Sequence, residues 1–316
     1  MAEVALIYPF TNPPRSRSIF RYPPLGLGYI ASYLRESGVK VELLDCTFSG
    51  IEATVERARG LNPSIVGVYS MFTMREASMR VGRSLRDDCE LLVAGGPLPT
   101  IDPAPFLDVF DVSVKGEGEE TMLEIVNAGV DGDFGSIDGI VFKKGGRSHG
   151  RAKSPNPDDL VYTGPRGLIQ DLNSIPSPAR DLYDNDEYKK YYRRNGKPAT
   201  TSMMASRGCP FNCDFCSRPV FGESFRQRSP ENVIAEVQEI LSLGYERVFF
   251  QDDCFTLSPR WVSSFCDEIG RREVEFEWEC LSRVDSLTVE LAREMREAGC
   301  RRARAREAEI KEKVIK

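Results

Sequence analysis

Ser206-Arg207-Gly208-Cys209-Pro210-Phe211-Asn212-Cys213-Asp214-Phe215-Cys216 supplies three thiols at C-x3-C-x2-C spacing on one short loop. Thiolates are soft ligands that suit iron-sulfur clusters, and an all-cysteine cluster normally takes four of them. Three ligands leave one iron open, and an open position separates a metal site that does chemistry from one that only staples a fold. Cys209, Cys213 and Cys216 are therefore the candidate ligands of a 4Fe-4S cluster. The alternative is a zinc ion completed by a fourth residue such as Cys254, Cys280 or His149.

Working outward, the loop follows residues 200–205, which read as a strand. Ser229 and Pro230 then place an N-cap and a proline at the first helical position, and Ser258 and Pro259 repeat the device before a helix over 260–271. Strands are expected at 247–251 and 274–280, and a last helix at 289–298 ends at Gly299. These are three consecutive βα units. Upstream, apolar runs at 4–8, 39–44, 65–69, 91–94 and 112–115 alternate with helical stretches at 26–36 and 51–59, at 75–86, and up to Val126. That is the pattern of a parallel sheet wrapped by helices. Between 145 and 198 the periodicity fades, and Pro155, Pro157, Pro165, Pro176, Pro178 and Pro198 punctuate a polar stretch.

The fold class is therefore α/β. A Rossmann-like or flavodoxin-like parallel sheet is expected over 1–145 and a connection over 146–198. A partial (βα) barrel follows over 199–300, and a charged, helical tail over 301–316.

Bulk composition narrows the function. A chain of 316 residues suits two domains, and 41% hydrophobic with 28% charged residues is ordinary for a globular protein. No apolar run approaches the roughly 18 residues of a membrane span. The first ten residues lack the basic-then-apolar order of a secretory signal, so the expected location is the cytoplasm. A net charge of -6 argues against a nucleic-acid partner held by bulk electrostatics, although Arg301, Arg302, Arg304 and Arg306 cluster late in the chain. Nine cysteines, an odd number, favour metal ligation or buried thiols over a disulfide framework. A single histidine, His149, removes most imidazole metal sites and any Ser-His-Asp mechanism needing a second, better placed His.

The cysteine loop, with aromatic Phe215 ahead of its third thiol, resembles the cluster loop of the radical S-adenosylmethionine superfamily. The resemblance implies that the amino and carboxylate groups of S-adenosylmethionine chelate the open iron, and that the reduced cluster cleaves the sulfonium to a 5'-deoxyadenosyl radical. Such a cluster must lie toward the low end of the roughly -700 to +450 mV span of protein iron-sulfur sites, fed by a donor such as flavodoxin or ferredoxin. The resemblance also implies that Phe215 lies on the adenine side, with a core aromatic as the alternative. Gln251, Asp252 and Asp253, in Phe249-Phe250-Gln251-Asp252-Asp253-Cys254-Phe255-Thr256, are candidates for the amino end, with turn capping by the two aspartates as the alternative. Arg283 is a candidate for the carboxylate, with a surface salt bridge as the alternative.

Loops at the carboxyl ends of parallel strands are where such sheets bind ligands. Here Tyr8-Pro9-Phe10, Pro23-Pro24-Leu25-Gly26-Leu27-Gly28, Ser70 with Thr73, Gly95-Gly96-Pro97 with Thr100, and Gly116-Glu117-Gly118-Glu119 together resemble the cobalamin-binding domain found ahead of many radical S-adenosylmethionine enzymes. Gly26, Gly28, Ser70, Thr73, Gly95, Gly96, Thr100, Gly116, Glu117 and Gly118 are the candidate cobalamin contacts, since glycine lets the backbone approach a bulky cofactor. Asp45, at the end of the second strand, is read as a turn cap, with contact to the cofactor as the alternative. The loop after the first strand holds no histidine, so the resemblance implies a lower cobalt face without an imidazole bond.

The family barrel has six βα units, and this sequence supplies three. Residues 301–316 are rich in strong helix formers and poor in β-branched residues, so the chain reads as truncated, with its third barrel strand left as an unpaired edge. The resemblance implies methyl transfer to an unactivated carbon of a small-molecule substrate. Cobalamin-using cyclisation or rearrangement and an inactive cofactor-binding fragment are the alternatives. A methylthiotransferase would need three further cysteines in the front domain, where only Cys46 and Cys89 stand.

Overall fold

A computed structural model describes residues 3–11, 21–144, 156–214 and 216–305. The front half runs β1 (Val4–Tyr8), α1 (Leu25–Glu36), β2 (Val41–Asp45), α2 (Cys46–Leu61), β3 (Ile65–Tyr69), α3 (Arg75–Leu85) and β4 (Leu91–Gly95). It continues with α4 (Pro97–Ile101), β5 (Val112–Val114), α5 (Glu119–Ala128), β6 (Ile140–Lys143) and β7 (Leu160–Tyr162). Strand order is β2-β1-β3-β4-β5-β6-β7; β1 to β5 are parallel and the last two antiparallel. The first five follow the flavodoxin-like order, whose ligand crevice lies at the carboxyl ends of β1 and β3.

The sheet is covered on both faces, as near-continuous apolar strands require. Along β1, Val4 and Leu6 pack with Leu27, Ala31 and Leu34 of α1, whereas Ala5 and Ile7 pack with Val55, Ala58, Val81 and Leu85 of α2 and α3.

The second half begins with α6 (Asn185–Arg194) and β8 (Thr200–Met203). The short β9 (Ser206–Arg207) and β10 (Arg226–Gln227) flank the cysteine loop. After them come α7 (Pro230–Ser242), β11 (Arg247–Phe250), α8 (Pro259–Arg271), β12 (Glu277–Ser282), α9 (Val289–Glu297) and β13 (Cys300–Ala305). Parallel strands β8, β11, β12 and β13 lie side by side in that order. Their outer face buries Met203, Val248, Phe250, Trp278 and Cys280 against Val237, Ile240, Phe265 and Met295 of α7, α8 and α9. Ser229 caps α7 as its spacing indicates, its hydroxyl accepting from Asn232 N, whereas the Ser258 side chain caps nothing.

Two expectations need correction. Residues 300–305 are a fourth parallel strand rather than the start of a helical tail. The reason lies across the ladder: Arg301 reaches Glu277 at 2.8 Å and Arg304 reaches Glu279 at 2.6 Å, cross-strand ion pairs that offset a poor strand propensity. The stretch 146–198 is also more than a connection, because it adds β7 to the first sheet and α6 to the second half. Its Arg180 is buried at 1% exposure and bonds Glu236 of α7 at 2.5 Å, sharing that carboxylate with Arg228. His149, Phe215 and Arg306 lie outside the described residues. No helix among the described residues is long and apolar enough to cross a membrane.

A buried ionic cluster joins the halves. Glu117, on the loop after β5, binds Arg207 of β9 at 2.9 Å and Arg226 of β10 at 2.9 Å. Glu119 binds the other arm of Arg207 at 2.6 Å, and all four side chains are at most 6% exposed. Ile169 closes the cluster, its N–H donating to Glu117 at 2.8 Å and its carbonyl accepting from Arg226 at 2.6 Å. Removing one partner of such a group leaves uncompensated buried charge. Glu117→Ala is expected to destabilise the chain by about 3–5 kcal/mol, read as a lower urea midpoint. An unchanged midpoint would mean that the halves do not depend on this contact.

Candidate functional site

Gly208 has φ +81, and a Cβ there would strike the Ser224 carbonyl, so the chain turns sharply between β9 and the first cysteine. Beyond that turn Cys209, Cys213 and Cys216 line one cavity of about 100 Å³ with Phe211, Asp253, Cys254, Leu281, Arg283 and Arg304. Cys209 is buried, and Cys213 and Cys216 are half-buried. Among the described residues no three His, Cys, Asp or Glu side chains converge so as to hold a metal ion. A zinc ion needs all its sulfurs about 2.3 Å from one point. A polynuclear cluster instead takes its thiolates at separate corners, and three soft donors around one cavity fit that demand. The alternative fourth thiols part company here: Cys254 shares the cavity, whereas Cys280 is buried in the core behind β12.

At the end of β11 the three polar candidates diverge. Asp252 is 1% exposed and turns inward, accepting from Ala205 N at 3.2 Å and from the Ser206 hydroxyl at 2.5 Å. Burial pushes its carboxyl up to about 6, against those hydrogen bonds. It ties β11 to the strand that launches the cysteine loop. Asp253 faces the thiol cavity, and Gln251 faces a second, larger cavity. Arg283 lies against Cys213, with Nη1 3.4 Å from Sγ, and is bracketed by Asp285.

The second cavity, about 390 Å³, sits at the carboxyl ends of β1, β3, β4 and β5 and extends to the second half. Its volume falls in the ordinary range for ligand pockets. Gly26, Gly95, Gly96, Gly116, Glu117 and Gly118 line it, as do Tyr8, Phe10, Tyr69, Arg207, Phe221 and Gln251. A Cβ on Gly26 or Gly116 would meet nothing within 4 Å, so the backbone is bare where a bulky ligand would lie. Gly96 has φ +108, and a Cβ there would sit 2.7 Å from the Ser70 carbonyl. Ser70 itself is buried, and its hydroxyl lacks a partner among the described residues. Ser70 does not line the cavity, so the fit to a bulky ligand rests on the bare backbone at Gly26 and Gly116.

Other candidates are placed differently. Gly28 touches Tyr183 and Pro178, so its missing side chain serves close packing of the 178–183 stretch on α1. Thr100 accepts from Gly116 N at 3.1 Å and donates to the Gly96 carbonyl at 2.9 Å, joining two glycine loops. Thr73 is exposed on the turn after β3. Asp45 caps α2, accepting from Thr47 N at 2.8 Å, and Tyr188 donates to it at 2.5 Å.

Sequence reasoning named Tyr8 and Phe10 only within the loop motif after the first strand, and it passed over Tyr69, Tyr22, Tyr29 and Phe221. Tyr8, Phe10 and Tyr69 form an aromatic row, Tyr8 lying 6.0 Å from Phe10 and 5.5 Å from Tyr69 between ring centroids. Burial raises the Tyr69 phenol to about 12 and the Tyr8 phenol further, so both stay protonated. Arg207 sits between the Tyr29 and Phe221 rings, 5.2 and 5.1 Å from their centroids. Tyr22 stacks on Phe249 at 5.4 Å, and Phe249 in turn carries the Arg304 guanidinium at 5.2 Å, which connects the linings of the two cavities. Isolated aromatics and a single arginine before a cysteine make no sequence pattern.

The matches to known proteins fall on these two halves. Residues 17–126 match the B12 binding domain, and residues 203–304 match the radical SAM superfamily. An uncharacterized methyltransferase of Pyrococcus horikoshii is 32% identical over 311 residues, covering 91% of this chain and 62% of that protein. The anaerobic magnesium-protoporphyrin IX monomethyl ester cyclase of Rubrivivax gelatinosus is 27% identical over 299 residues, covering 90% of this chain and 51% of the cyclase. The chain thus spans between half and two thirds of the length of these relatives. The fold matches that of the radical S-adenosylmethionine methyltransferase TsrM from Kitasatospora setae, solved with cobalamin and a [4Fe-4S] cluster. The TM-score is 0.74 at 20% identity, over 95% of this chain and 58% of TsrM. The chain thus carries a domain of the B12 binding type over residues 17–126, followed by a domain of the radical SAM superfamily over residues 203–304.

Proposed function

We propose that this chain is the cofactor-binding part of a cobalamin-dependent radical S-adenosylmethionine enzyme that transfers a methyl group to an unactivated carbon of a small molecule. The observation that carries the reading is the end of β11, where Gln251 lines the glycine-bordered cavity and Asp253, two residues on, lines the thiol cavity. A methyl donor and a radical source must both reach one substrate carbon, and this strand end brings their two cavities together. When bound, the cluster with S-adenosylmethionine supplies one-electron cleavage of a sulfonium, and cobalamin supplies a transferable methyl group.

The chain's own residues hold and orient. Cys209, Cys213 and Cys216 grip the cluster, Asp253 offers a carboxylate to the ammonium of S-adenosylmethionine, and Gly26, Gly95, Gly96 and Gly116 leave room for the corrin. Tyr22, Phe249 and Phe221 keep water from the space between. In this reading a low-potential donor such as flavodoxin or ferredoxin supplies the electron, and the cytoplasm, where such donors work, is the proposed location. Cyclisation is the neighbouring outcome, since one relative is a cyclase.

A second reading is favoured by one observation: Cys254 shares the cavity with the other three thiols, as a closed four-thiolate site would require. Anaerobic iron-sulfur reconstitution separates the two. About four irons per chain are expected, falling to near zero in Cys213→Ala and unchanged in Cys254→Ala, with S-adenosylmethionine altering the electron paramagnetic resonance spectrum. Iron lost in Cys254→Ala and a spectrum indifferent to S-adenosylmethionine would favour the closed site. For the front cavity, Gly26→Trp places an indole in the open space and is expected to weaken hydroxocobalamin binding at least tenfold, about 1.4 kcal/mol, in absorbance titrations, with circular dichroism unchanged. Equal affinity would remove this cavity from the account.

A further inference from the structure

Arg283 follows the last residue of β12, and its side chain is held on three sides. Nη1 lies 3.4 Å from Cys213 Sγ, within hydrogen-bond reach of sulfur. The guanidinium carbon stands 3.6 Å from the centroid of Phe211, a residue of the same cysteine loop. Asp285 grips the remaining edge, with Nε to Oδ1 at 3.0 Å and Nη2 to Oδ2 at 2.8 Å. The side chain is 16% exposed, so it is packed rather than waving in solvent. A planar fork with one face on an aromatic ring and one edge on a carboxylate has little freedom to point elsewhere.

We propose that Arg283 is a positioning residue that sets the reduction potential of the cluster through Cys213, rather than a ligand for the carboxylate of S-adenosylmethionine. The inference rests on the reading that Cys213 is a cluster ligand. Reduction adds negative charge to the cluster and its thiolates. A cationic N–H donor directed at one of those sulfurs stabilises the reduced form more than the oxidised one, and so raises the potential. Phe211 contributes by holding the guanidinium plane, and Asp285 by fixing its rotation. The device gives this cluster a potential less negative than its three thiolates alone would set.

The test is a redox titration of the reconstituted chain without S-adenosylmethionine, followed by electron paramagnetic resonance, with iron counted in each variant. Arg283→Met is expected to keep its iron and shift to a more negative potential. Arg283→Lys, which retains the charge but loses the fork, is expected to fall between Arg283→Met and the parent. Phe211→Leu is expected to shift in the same direction as Arg283→Met by a smaller amount. Affinity for S-adenosylmethionine, titrated separately, is expected to change less than twofold in Arg283→Lys.

Iron present with a potential equal to that of the parent in these variants overturns the proposal. So does an unmoved potential combined with a large loss of S-adenosylmethionine affinity, which would assign Arg283 to the ligand carboxylate. If Arg283→Met takes up no iron, the other two variants decide by the same criterion. A parent chain that binds no iron overturns the cluster reading itself, a failure distinct from an unmoved potential.

Discussion

The structure depends on a small group of charges hidden between its two halves. Glu117 and Glu119 come from the loop and helix after β5, and Arg207 and Arg226 from the short strands that flank the cysteine loop. Burying such charges is costly, and the cost is met only when every carboxylate oxygen and guanidinium arm finds a partner. Here the Ile169 backbone completes the set. Glu117, Glu119 and Arg207 also border the glycine-lined cavity, and Arg207 stands two residues before Cys209. One electrostatic contact thus fixes the spacing between the place for a bulky cofactor and the place for a cluster.

The chemistry follows from what each half contributes to that junction. A parallel sheet presents its carboxyl ends as a rim of bare glycine backbone and buried phenols. The second half presents a loop of three thiols around a cavity, and neighbouring positions on one strand end face the two spaces. Two polar residues around the cysteine loop are already engaged: Asp252 with the backbone beneath the loop, and Arg283 with a thiol, a ring and a carboxylate. Such pre-set contacts suit a site that must hold reactive species without rearranging around them.

Much of this organisation could be read from the residues. The strand-helix alternation up to Val126 and the cap-and-proline pair at Ser229 and Pro230 depend on short-range rules, and they hold in the structure within a few residues. What escaped depends on partners distant in sequence. An arginine-rich stretch reads as a helix by itself, yet becomes β13 because Glu277 and Glu279 wait on the neighbouring strand. The three-residue β7 is too short to show a period. Gly28, grouped with the cofactor glycines through Pro23-Pro24-Leu25-Gly26-Leu27-Gly28, packs against Tyr183, and no local pattern announces a contact made across more than a hundred residues.

In the proposed arrangement two cofactors face one another across this junction. Both have a state with an unpaired electron, cob(II)alamin and the reduced cluster, so their proximity can be measured magnetically in one sample of the loaded chain. Electron paramagnetic resonance of the doubly loaded, reduced protein is expected to show each signal split or broadened by the other. A spectrum equal to the sum of the two singly loaded samples would contradict it.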